Sequence, residues 1–228
     1  MWSALGHPGF RWLFISSFIS TIGSKIHRVA LLFVAYQETQ NAVWVSLILG
    51  AQFVASALLG PLLGPLADRY DRRVLMVIAD LARAFLVACI PLFAMDTMPL
   101  LMLIAFSMAA LEALHYSASQ SAIPELVPES SLDAANGLMT FVARFADVTF
   151  VALAGVLVAN VGPAPAFWID ATSYLISSAF LALLPPCEAR MAGAITSPRW
   201  SQVCKSCGKT RCSPAPSVRW PWPQPLAR

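Results

Sequence analysis

The chain has 228 residues, of which 58% are hydrophobic and only 12% charged. Its mean hydropathy of +0.68 lies far outside the soluble globular range, which excludes one large water-soluble core and points to lipid-facing helices. The net charge of +3 hides an asymmetry: eight Lys/Arg against eleven Asp/Glu through residue 186, then seven against one, so that two kinds of sequence join near Pro185.

Residues 1–11 read as a short polar lead, too weakly charged for a cleaved signal peptide. A first helix is expected over 12–36, with Gly23, Ser24, Lys25, Ile26, His27 and Arg28 near its middle. Starting that helix at Ile26 instead leaves about 11 residues, where a bilayer crossing needs roughly 20. Charged groups at such depth are costly unless a polar cavity receives them, so Lys25, His27 and Arg28 are cavity candidates. Gly23 with Ser24 is expected to loosen the helix there.

Residues 37–42 form a turn with no Lys or Arg, expected outside. On the second helix, 43–63, Ser56, Gly60 and Gly64 recur every fourth residue, a stripe expected to pack closely against another helix. Pro61 and Pro65 are expected to bend its end. Next comes Gly64-Pro65-Leu66-Ala67-Asp68-Arg69-Tyr70-Asp71-Arg72-Arg73. Its arginines predict a tight turn held on the cytoplasmic side. A third helix, 74–94, places Asp80 and Arg83 on one face, either as a local ion pair or as part of a gate.

Residues 95–98 make a second external turn. The fourth helix, 99–117, ends near Glu112 and His115, which read either as a proton relay or as a solvated interfacial pair. Residues 119–136, with Pro124 and Pro128, are expected to be a polar connection. The fifth helix, 137–161, carries Arg144 and Asp147. They either neutralise each other or free Arg144 to meet a carboxylate on another helix, such as Asp80. After an uncharged turn, a sixth helix is expected over 167–184, with Asp170 solvated near its external end.

The order Gly64-x-Leu66-Ala67-Asp68-Arg69-x-x-Arg72-Arg73 resembles the signature loop between helices 2 and 3 of the major facilitator superfamily of secondary transporters, with Asp71 where that family often has Gly. The run from Ser121 to Asn136 is similar to the helix 4–5 connection of its enterobactin-exporter-like and macrolide-efflux-like branch. The resemblance covers most of residues 8–186. Many drug antiporters of the family carry a Gly-Pro pair and further glycines on helix 5; of these, residues 150–155 retain only Gly155.

The resemblance implies an all-α membrane protein: six transmembrane helices as two inverted three-helix repeats, the N-terminal half of the fold, both termini cytoplasmic in a bacterial inner membrane. It implies a secondary transporter exporting small amphipathic molecules, drug-like or siderophore-like. Gly64, Asp68, Arg69, Arg72 and Arg73 would form the gating loop. Lys25, His27, Arg28, Asp80, Arg83, Glu112, Arg144 and Asp147 would be candidates for substrate binding or proton coupling.

No cluster suggests covalent chemistry. His7, His27 and His115 have no hydrolase partner pattern, and no glycine loop for phosphate is present, so neither an enzyme nor a cofactor is expected. Residues 187–228 are basic and rich in Pro, Trp and Cys. Cys204, Cys207 and Cys212 offer three thiolates without a His at metal spacing, and no metal site is assigned. This tail is expected to be disordered, the end of a truncated frame unrelated to the family. The partners expected are the lipid bilayer, a small-molecule substrate, and either a second copy or a separate second half; no nucleic acid is expected. The alternative is a membrane remnant or interaction subunit that transports nothing.

Overall fold

A computed structural model describes residues 5–94 and 97–184, the side chains of 64–69 excepted. The second unit of the chain, Gly193–Arg228, and with it the expected tail, lies outside the described residues. Among the described residues every regular element is helical: α1 Pro8–Thr39, α2 Ala42–Arg69, α3 Arg72–Cys89, α4 Met98–Leu126, α5 Leu132–Val161 and α6 Ala164–Leu181. A π turn, Ile90–Ala94, extends α3, and a 3-10 turn, Glu129–Ser131, precedes α5.

The helix ends follow local chemistry. Pro8, Pro99 and Pro165 sit in the first turns of α1, α4 and α6, where a missing N–H leaves nothing unsatisfied. Gln40, in the left-handed region at φ 49°, closes α1 by donating its N–H to the Tyr36 carbonyl. Gly162 closes α5 at φ 88°, a backbone that glycine adopts without strain.

Two expected connections are shorter than the sequence indicates. The charged turn over 64–73 contracts to Tyr70 and Asp71, because α2 continues helical through Pro61 and Pro65 to Arg69. The Asp71 carboxylate then accepts the Arg73 N–H at 2.9 Å and starts α3 at once. The connection over 119–136 contracts to Val127–Ser131. Here α4 runs on through Pro124, because Ala118, Ala122 and Ile123 continue its buried face. Ser121 supports that turn by donating to the Ser117 carbonyl at 2.9 Å.

Among the described residues, five helical stretches are long and apolar enough to cross a membrane: Pro8–Thr39, Ala42–Leu63, Arg72–Ala94, Met98–Leu126 and Glu129–Val161. The 18-residue α6, carrying Asp170, Thr172 and Ser173, is outside that set.

Helix α1 packs along α6 and α5, α2 along α4, and α3 along α4 and α6. Two apolar clusters result. Leu31, Val34, Val87, Ile90, Leu101, Ile104 and Phe167 form one, and Phe10, Leu13, Met76, Ile123, Leu138 and Leu181 form the other. Each of α1, α3, α4 and α6 contributes to both clusters, and the buried Ser16, Ser20, His27, Asp80, Arg83, His115 and Ser177 fall in sequence between the two contributions of their helices.

Candidate functional site

Buried polar residues of α1, α3, α4 and α6 come together around Asp80 and Asp170. On α3, Asp80 and Arg83 lie three residues apart and form an ion pair with both side chains buried. His115 of α4 places Nδ1 3.1 Å from the same carboxylate, and Ser177 of α6 donates to its other oxygen at 2.6 Å. The Arg83 guanidinium lies over the Tyr174 ring, 4.5 Å from its centroid. The Tyr174 hydroxyl in turn shares a 2.8 Å hydrogen bond with Ser24 of α1. One connected set of side chains therefore ties α1, α6, α3 and α4.

Beside it, Gly23 of α1 faces α6 so closely that a Cβ there would overlap the Ser173 hydroxyl and lie 2.5 Å from Asp170 Oδ1. Asp170 is fully buried, and its Oδ2 lies 3.6 Å from Nδ1 of His27, whose ring meets Phe167 edge-on at 5.5 Å. Solvation of Asp170 is thus overturned by the packing of α6 on α1. The loosening expected at Gly23 and Ser24 is absent as well. Helix α1 is continuous, and Gly23 serves close approach, with the Ser24 hydroxyl 2.7 Å from the Ser20 carbonyl.

The basic cluster of α1 splits three ways. Lys25 pairs with Asp147 of α5 at 2.5 Å, His27 turns inward to Asp170, and Arg28 faces Glu112 of α4 at 3.8 Å. Arg28 and Glu112 border a cavity of about 630 Å³, whose wall also includes Gln52, Ser56, Phe53 and Tyr116. The stripe of Ser56 and Gly60 therefore lines this groove instead of packing, and a Cβ at Gly60 would meet nothing within 4 Å. Glu112 and His115 have different partners, one facing Arg28 at the groove and the other Asp80. Arg144 stays with Asp147 at 3.8 Å and is 82% exposed. It does not reach Asp80, because α5 packs on α1 and not on α3.

In the charged motif, Arg72 forms an ion pair with Glu125 near the end of α4, and Arg73 donates to the Ala182 carbonyl just past α6. The two arginines fasten the start of α3 to the ends of two other helices. The surroundings of Gly64 and the side chains of Asp68 and Arg69 lie outside what the structure describes. Sequence reasoning missed the roles of Asp170, Tyr174 and Ser177. Their recurrence every three to four residues along α6 is the signal that places them on one face.

The family model described as Major Facilitator Superfamily matches residues 13–208, most of the chain and past the boundary that composition suggests at 186. The chain belongs to the major facilitator superfamily. Major facilitator relatives include the uncharacterized MFS-type transporter YfiS of Bacillus subtilis, 27% identical over 179 residues, which are 78% of this chain and 42% of YfiS. Macrolide efflux protein A of Streptococcus pyogenes is 32% identical over 143 residues, 61% of this chain and 35% of that protein. The multidrug efflux pump Tap of Mycobacterium tuberculosis is 27% identical over 187 residues, 78% of this chain and 44% of Tap. The chain thus spans less than half the length of these relatives. Family membership makes it an integral membrane protein of a transporter family.

Proposed function

We propose that this chain is a six-span unit of a secondary transporter that exports small amphipathic molecules through the groove beside Arg28 and Glu112. The observation that carries this reading is the groove itself. A partly exposed ion pair, Gln52 and Tyr116 share one wall with Leu49 and Phe53, which suits a ligand with both apolar and charged parts. The efflux relatives support the direction of transport.

The packing supports six spans in two repeats. Exchanging helices 1, 2 and 3 with 4, 5 and 6 maps the packed pairs onto themselves: α1 on α5 becomes α4 on α2, α1 on α6 becomes α4 on α3, and α3 on α6 is unchanged. Helix α6 contributes to both apolar clusters, as a spanning helix would. Arg11, Arg69, Arg72 and Arg73 mark one end of the bundle, and the turns at 40–41 and 162–163 have neither Lys nor Arg. By the positive-inside rule this supports a cytoplasmic arginine end in a bacterial cell. The loop arginines and Asp68 act as the gate, with Arg72 and Arg73 holding three helix ends in register.

Helices α2 and α5 need cover. The buried share is 11% in α2 and 22% in the α5 stretch, against 39–44% in the other three spans. Gln52, Arg144 and Asp147 cannot be left to lipid without cost. The cover proposed is a second six-helix unit.

Reconstitution into liposomes tests the reading, with export of a fluorescent amphipathic cation as the readout. Arg28→Gln and Glu112→Gln are expected to lower the rate at least tenfold while preserving the melting temperature. Unchanged rates in both would remove the groove from the pathway. No transport by any assembly containing the chain would favour a non-transporting membrane subunit.

A further inference from the structure

Asp170 is a buried carboxylate with almost no donors. Its Oδ2 accepts no hydrogen bond. Its Oδ1 has only the Ser173 hydroxyl at 3.4 Å, and that hydroxyl is already given to the Asp170 carbonyl at 2.8 Å. Opposite it, Nδ1 of His27 is also buried without a hydrogen-bond partner, 3.6 Å from Oδ2.

The charged groups on the surrounding helices are engaged elsewhere. On α1 itself, Lys25 is held by Asp147 of α5, and Arg28 faces Glu112 of α4. Arg83 of α3 is held by Asp80, where His115 of α4 also sits. It attracts Asp170 only at longer range, against the like charges of Asp80 and Glu112. Arg144 of α5 is exposed beside Asp147, and the Tyr174 hydroxyl is shared with Ser24. With His27 neutral, an ionised Asp170 would be a sealed negative charge with one weak donor and no contacting counter-ion, a state that burial strongly disfavours.

We propose that Asp170 carries a proton in this arrangement and that His27 Nδ1 is its acceptor, making the two a one-proton site sealed between α1 and α6. On transfer the Asp170 O–H bond breaks and the His27 Nδ1–H bond forms. The net charge of the pair does not change, so the step needs no other group. Loss of the proton from the imidazolium leaves a buried net negative charge, which is tolerated only when water enters. Emptying the site therefore requires α1 and α6 to part. Gly23 allows the closed state, because any larger residue would stand where the Asp170 carboxyl approaches α1. The next residue, Arg28, lines the groove, so separation of α1 from α6 would reach the proposed substrate path directly. The site deepens the transport reading by naming its coupling ion, and only that coupling rests on the reading.

Infrared difference spectroscopy of the full chain in nanodiscs reads protonated carboxyls through their C=O stretch. The expected result at neutral pH is a protonated-carboxyl band that is lost in Asp170→Asn, retained in Asp80→Asn and Glu112→Gln, and shifted in frequency in His27→Gln. Asparagine has the shape and neutrality of the protonated acid, so the variant is expected to fold. If it does not, the His27→Gln shift decides, and its absence overturns the proposal. A wild-type protein without the band, or a band that survives in Asp170→Asn, also overturns it. The band behaving as expected in a protein that moves no substrate under a proton gradient would support the proton site and count against proton-driven transport.

Discussion

Ser177 of α6 donates to Asp80 of α3 at 2.6 Å, completing the partners of a carboxylate that already holds Arg83. Removing the acid leaves a cation sealed among α3, α4 and α6. Asp80→Ala is expected to cost about 3–5 kcal/mol, the usual result of breaking a buried ion pair from one side. Ser177→Ala loses one hydrogen bond to a charged group, about 1.5–3 kcal/mol. Denaturant unfolding in detergent should rank them in that order. Equal losses would mean that Asp80 does not neutralise Arg83.

Gly23 and Gly60 should respond in opposite ways to alanine. At Gly23 the new methyl meets Ser173 and Asp170. Overpacking of that kind costs about 1–3 kcal/mol. At Gly60 nothing lies within 4 Å, so Gly60→Ala should gain up to about 1 kcal/mol from helix propensity alone. Melting temperatures of the two variants check the contrast, and a stabilising Gly23→Ala would refute the close approach of α1 to α6.

Much of this was legible in the sequence. The apolar runs located the helices, and the three-residue spacing anticipated the Asp80–Arg83 pair, because one helix turn is enough to join them. The helix ends were not legible. Serines and a proline at the end of α4 have the composition of a loop, yet buried neighbours and a hydroxyl-to-carbonyl bond keep that stretch helical, and α2 runs on helical through Pro61 and Pro65. The destinations of Lys25, His27 and Arg28 were equally hidden. Their side chains diverge to α5, α6 and α4, and only the packing of these helices around α1 decides which partner each receives. Asp170 was misjudged because nearness to a helix end says nothing about which neighbour covers it.

The α3 cap offers a local check. Asp71→Ala removes the acceptor for the Arg73 N–H and should cost about 1 kcal/mol, whereas Asp71→Asn keeps an acceptor and should cost only a few tenths. Thermal unfolding of both variants distinguishes a cap from a charge effect. Equal losses would assign the role of Asp71 to its negative charge.

Asp147 stands between two cations, Lys25 at 2.5 Å and Arg144 at 3.8 Å. Asp147→Asn deprives both of their counter-charge, whereas Lys25→Met leaves Asp147 with Arg144. The first should therefore lower the yield of membrane-inserted protein several-fold more than the second. Combining them should recover part of the loss, because the double variant leaves only exposed Arg144 charged. Quantification of membrane fractions tests this, and strict additivity of the two losses would count against their coupling.

The face of α6 that carries Asp170, Ser173, Tyr174 and Ser177 meets Gly23, Ser24 and Asp80. Those partners belong to α1 and α3, which are synthesised earlier. On the six-span reading, α6 is a poor candidate for entering a bilayer alone, since its polar face finds acceptable surroundings only against helices already in place. The order of synthesis then becomes part of the folding instructions. Moving the α6 segment ahead of α1 and α3 in a permuted gene would present the same residues to the insertion machinery with no one to receive them.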